Sequence, residues 1–246
     1  MSSTGTTPLS TPPPIPESTP SGLDGSPVTD PPVPAAVRAQ ILATEHWSLL
    51  ATRSTTWSEV MSRITIHLTV TSAALVVLAL VAQATEFGGP FRLLSIGLSS
   101  AVVVLGTLTG MRVMNASHDD AAMILGMNRL RAAYAELDPG IVRYLVTSAH
   151  DDRAGLMATY TMGLRRTTLS HVLASTTMFI NVVNAIVAGT LGALIADASG
   201  AGVGLVAVVG GTAGLAYLAA MLEVGRRLFA TDPFTAHFPS RPDDGA

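Results

Sequence analysis

Two copies of the tripeptide His-Asp-Asp, His118-Asp119-Asp120 and His150-Asp151-Asp152, stand 32 residues apart, each with a serine shortly before it. Imidazole nitrogens and carboxylate oxygens are competent ligands for a divalent cation, so two such clusters brought together could hold a metal and serve a membrane-bound metal enzyme. The same residues also suit helix starts, where acidic side chains meet the positive end of the helix dipole. No His-x₃-His spacing and no third ligand set accompanies them. Helix starts are therefore the expectation, and neither a metal nor a cofactor is.

His67 and His171 each fall about one turn inside the end of a long apolar run. An ionisable group in hydrocarbon marks a proton relay, a pH gate or a ligand, or else a hydrogen bond to a neighbouring helix. Asn181 and Asn184 form the one strongly polar pair near the middle of such a run, and Thr177 continues their face one turn earlier. In hydrocarbon these groups must find partners, which makes them either interhelical clamps or a pore lining. Gly106-x-x-x-Gly110 and Gly210-x-x-x-Gly214 offer flat faces where helices can meet closely, in a compact bundle or a dimer. There is no phosphate-binding glycine loop, dinucleotide fingerprint or His-Glu-x-x-His zinc motif. No carboxylate or proline interrupts the apolar runs, which disfavours driven transport.

The elements that must position these residues are apolar helices. Runs at 64–84, 93–112, 169–196 and 201–222 each approach or exceed the roughly 20 residues needed to cross a hydrocarbon core. The whole chain agrees: of 246 residues 48% are hydrophobic and only 13% charged, and mean hydropathy is +0.46. Soluble domains are about a quarter charged. This composition, with a net charge of -3, excludes an ordinary soluble enzyme and a basic nucleic-acid binder. Zero cysteines exclude a disulfide scaffold and thiol chemistry.

Orientation follows from arginine, the only strongly basic residue type in the chain. Three of the fourteen precede the first run, seven extend from Arg112 at the end of the second run to Arg166, and three follow the fourth; Arg92 alone lies in a short connection. The positive-inside rule then puts both termini and the central segment in the cytoplasm of a multi-pass protein of the cytoplasmic membrane.

The expected fold is all-α: four transmembrane helices as two hairpins with a helical cytosolic module between them. Residues 1–35 hold ten of the fifteen prolines and twelve Ser or Thr, a disordered cytosolic tail without the features of a signal peptide. Residues 36–62 carry apolar positions at helical spacing and both tryptophans, Trp47 and Trp57. Those rings favour the headgroup layer, so an interfacial helix along the membrane is expected, with packing on a cytosolic helix as the alternative. Hairpin 1 (63–112) leads to the cytosolic module (113–168), where Ser117 and Asp120 resemble a capping box that opens a helix near His118. That helix should bury Met123, Leu125, Met127, Leu130 and Tyr134, leave Arg129, Arg131 and Glu136 outside, and stop at Asp138-Pro139-Gly140. Hairpin 2 (169–222) and a C-terminal tail (223–246) complete the chain.

The stretches Ile41-Leu-Ala-Thr-Glu-His-Trp-Ser-Leu-Leu-Ala-Thr-Arg53 and Leu125-Gly-Met-Asn-Arg-Leu-Arg-Ala-Ala-Tyr134 resemble a family of uncharacterised actinobacterial four-span integral membrane proteins. The resemblance covers roughly residues 36–230 and implies a fold without implying an activity. In architecture the chain is more loosely similar to the two-span effector domains of bacterial defence systems, in which a cytosolic helix precedes a pore-forming hairpin. The expected function is a non-enzymatic membrane protein acting as an oligomer or scaffold, with lipid, copies of itself and a cytosolic protein as partners, and no nucleic acid. The alternative is a small oligomeric channel lined by Thr177, Asn181 and Asn184.

Overall fold

The computed structural model describes residues 33–162, 164, 174–230 and 235–240. The expected tail up to residue 32, the start of the third apolar run and His171 lie outside the described residues.

Helix α1 runs unbroken from Ala35 to Thr85, 51 residues. It contains neither Gly nor Pro, so nothing in the local sequence interrupts the hydrogen-bond ladder. Its threonine hydroxyls donate to carbonyls one turn back, as Thr65 does to Met61 and Thr69 to Thr65, which satisfies them without water. Residues 36–62 are thus the first half of α1 and form no separate surface helix. They pack on a second helix instead, the alternative that the apolar spacing allowed.

That second helix, α2, spans Gly89–Leu137, 49 residues, with Pro90 in its first turn. It passes through Ser117 without a break, and Ser117 Oγ donates back to Val113 O at 2.9 Å instead of capping a new helix. The expected helix start near His118 is therefore absent. The short polar run there is compatible with helix, and contact with α1 continues on both sides of it.

Asp138 ends α2 in an extended conformation and accepts from Gly140 N at 2.9 Å, ahead of a 3₁₀-helix at Pro139–Tyr144. Helix α3 (Arg153–Thr161) is N-capped by Asp152, as expected at the second His-Asp-Asp cluster, and ends on Met162 in the left-handed region. Helix α4 (Thr176–Ala198) is capped by Ser175, and α5 covers Val203–Leu228. The described residues include no strand.

Helices α1 and α2 turn at residues 86–88 and run antiparallel. Arg112 meets Glu59, Arg53 meets Asp120 and Arg38 meets Glu136, at distances from the turn that increase together. α4 and α5 are likewise antiparallel, and their seam is made of small residues: a Cβ on Gly214 would stand 2.9 Å from Ala185 O, and one on Gly189 2.9 Å from Gly210 O. Gly210-x-x-x-Gly214 therefore brings two backbones together within one chain. Arg92 and Asp197 pair at 3.4 Å, which joins the two turns at one end of the bundle.

Val60, Ile64, Val113, Ala116 and Ile180 form a core where α1, α2 and α4 meet. Around it, long apolar side chains such as Leu75, Val76, Leu80, Val104, Leu108, Ile186, Val208 and Leu215 face outward. A coat of that kind suits lipid and not water. Four helices, α1, α2, α4 and α5, are long and apolar enough to cross a membrane.

Candidate functional site

Two polar clusters stand out, one among the apolar helices and one where α1 and α2 extend beyond them. In the first, Asn184 on α4 is fully buried, and its amide nitrogen donates to Val103 O at 3.3 Å and Thr107 Oγ1 at 3.2 Å on α2. The same nitrogen meets the hydroxyl of Tyr217 on α5, and that hydroxyl lies 3.1 Å from Thr107 Oγ1. One asparagine thus joins three helices. Thr177, two turns earlier, stands 3.4 Å from Ser117 on α2. On the polar face of α4, Asn184 and Thr177 make interhelical contacts within the chain.

Gly106 and Gly110 behave differently from the glycines of α4 and α5. A Cβ on Gly106 would overlap Asn184 Oδ1 and lie 2.7 Å from His67 Cε1, and one on Gly110 would lie 3.0 Å from Asn181 Oδ1. This pair seats polar side chains in place of a neighbouring backbone. His67, Asn181 and Asn184 are each at most 2% exposed. Both His67 ring nitrogens and the Oδ1 atoms of Asn181 and Asn184 find no partner in the structure.

The second cluster centres on Asp120. This buried carboxylate accepts from Arg53 Nε at 2.6 Å, Trp57 Nε1 at 2.8 Å and Tyr160 Oη at 2.8 Å, which ties α1, α2 and α3 together. Burial, then the adjacent Asp120 charge, drives the Tyr160 phenol far above its ordinary value. Trp57 is therefore fixed to α2 and is no free interfacial anchor, whereas Trp47 is 71% exposed. Nearer the apolar helices, Arg112 and then Arg63 hold the Glu59 carboxyl down to about 2.

Asn128, also buried, donates to His150 O at 2.8 Å and accepts from Arg131 and Thr159. Asp151 accepts from Arg129 Nε at 2.8 Å and from the backbone N–H groups of His237 and Phe238. Asp152 takes Ser240 N and Oγ beside its cap on Gly155. Burial raises both carboxyls, but these donors outweigh it and hold them below the ordinary range.

Arg129 and Arg131, expected on the outside, are half-buried parts of this network, because buried oxygens of Asp151 and Asn128 draw them in. Asp120, Asp151 and Asp152, offered by the sequence as metal ligands, have their oxygens turned to protein donors. His118 lies edge-on to Phe229 at 5.6 Å, and Asp119 is exposed beside Arg112. Among the described residues no three His, Asp or Glu side chains gather as a metal site requires. The partnerships of Arg53, Asn128, Thr159, Tyr160 and Ser240 carried no signal in the sequence, since each of these polar residue types can equally face water until its distant partner is known.

The described residues are helical, with four helices able to cross a membrane, and the composition is that of a multi-pass membrane protein. No protein family, curated protein or solved structure matches the chain.

Proposed function

We propose that this protein is a non-enzymatic, multi-pass scaffold of the cytoplasmic membrane that works through self-association or by holding a cytosolic partner. The supporting observation is the length of α1 and α2. At 1.5 Å per residue each is about 75 Å long, against roughly 30 Å of hydrocarbon. The remainder forms a two-helix stalk, braced by Arg53, Trp57 and Tyr160 on Asp120 and by Arg38 on Glu136. The charge rule supports a cytoplasmic stalk and cytoplasmic termini. Val37, Ile41, Trp47 and Leu50 are exposed along the outer part of the stalk, apolar surface available to a partner. The side chains best suited to chemistry, Asp120, Asp151 and Asp152, are engaged in holding the fold.

A photo-crosslinking residue at Ile41 or Trp47, used in intact membranes, should give a discrete adduct with a second copy or with one protein. Absence of any adduct, together with a monomer in mild detergent, would remove this reading. Ion flux in liposomes tests the channel alternative. Asn181 and Asn184 lie inside one protomer, so a pore between copies would not be lined by them. Ion flux carried by the unsubstituted protein would replace the scaffold with a channel.

A further inference from the structure

The unpaired polar atoms around His67 call for an explanation, because buried hydrogen-bonding groups normally find partners. Val103 O can only accept, so the Asn184 nitrogen must face it, and Oδ1 is left turned toward the Gly106 side where His67 packs. Asn181 Oδ1 sits against Gly110, one turn along the same face of α2. A neutral imidazole offers one N–H and one lone pair. Against two amide oxygens, acceptors exceed donors. One added proton changes that count, since an imidazolium has two N–H donors for two carbonyl oxygens.

We propose that His67 is a proton-binding site inside the helix bundle, with Asn184 Oδ1 and Asn181 Oδ1 as the acceptors that receive the imidazolium. Protonation ties α1 to α4, and loss of the proton leaves at least one of the two oxygens without a donor. The close packing at Gly106 leaves little room for a larger ligand, whereas a proton needs none.

No net charge faces the site, so the two amide oxygens are what would hold the imidazolium against the cost of burial. On α4 there is no ionisable side chain from Thr176 to Ala196, and on α2 none from Val102 to Met111. From α5 the facing titratable group is Tyr217, which bonds to Asn184. On α1, Arg63 lies one turn from His67 and is paired with Glu59 at 2.8 Å; Arg112 of α2 shares Glu59 and approaches Asp119 at 3.8 Å. These two cations and two anions balance. They also mark the edge of the apolar region, so a proton from that side has about one helical turn to travel. α1 continues without a break from His67 through the stalk, so a shift at this site is carried to the stalk whether or not the stalk engages a partner.

Nitrogen-15 NMR of the imidazoles in the full-length protein in liposomes tests this, with His67→Gln identifying the His67 signals. His67 should pass from neutral to doubly protonated between pH 8 and pH 5. Asn181→Asp, nearly isosteric, should move the midpoint up by at least a tenfold change in proton affinity, and Asn181→Leu should move it down. A His67 that stays neutral through pH 5, or a midpoint unmoved in both Asn181 variants, would overturn the proposal. Asn181 is substituted because Asn184 also joins three helices.

Discussion

Gly106 shows how one absent side chain can define a site. The position meets Asn184 and His67 together, and a Cβ there would overlap Asn184 Oδ1 too deeply for any small rotation to absorb. Gly106→Ala should therefore destabilise the bundle by about 1–3 kcal/mol, the range for overpacking a filled core. Gly110→Ala, with 3.0 Å to Asn181 Oδ1, should cost less. Thermal unfolding in detergent, followed by circular dichroism, measures both; equal and negligible losses would mean that Asn184 rotates away freely. The GxxxG spacing is visible in the sequence, but its occupant is not. The same motif receives side chains on α2 and a backbone on α5.

At the scale of elements, the segment at 235–240 is held by Asp151 and Asp152 mainly through its backbone, with Arg129 adding a bond to Thr235 O. Both carboxyls are depressed in the folded state, so the stabilisation they give is complete above the ordinary carboxylate value, near 4. It is lost as pH falls through the depressed values. The segment should therefore remain docked at neutral pH and release only in acid. Asp151→Asn should release it at pH 7. Hydrogen exchange at His237 and Phe238, corrected for the intrinsic rate, should rise about ten- to hundredfold in that variant, the equivalent of losing charge-assisted hydrogen bonds. Unchanged protection would show that the bonds from Asp152, Arg129 and the Asp151 backbone N–H hold the segment without the Asp151 charge.

For the whole molecule the question is direction. The chain has no cysteine, so single cysteines report topology without background. Ser58, on the exposed side of α1 in the stalk, and Ser199, between α4 and α5, lie toward opposite ends. With a membrane-impermeant maleimide on intact cells, Ser199→Cys should react and Ser58→Cys should react only after permeabilisation. The reverse pattern would turn the molecule over and place the stalk outside.

Much of this architecture follows from composition and periodicity. The four apolar runs, the stop at Asp138-Pro139-Gly140 and the helix start at Asp152 depend on local physics: transfer of side chains to lipid, and backbone geometry near Pro and capping residues. Local sequence also favoured breaks at 62 and 117 that do not occur, because contact between α1 and α2 continues past both. Contacts across long separations are set by register alone. Asp120 with Arg53 and Tyr160, Asn184 with Thr107 and Tyr217, and Asp151 with Phe238 could be joined only by tertiary structure, since any one of these residues would be equally at home facing water or another partner. Sequence determined that the protein has helices fit for a membrane; folding decided which polar groups are satisfied inside them, and left His67 and its two amide oxygens without partners.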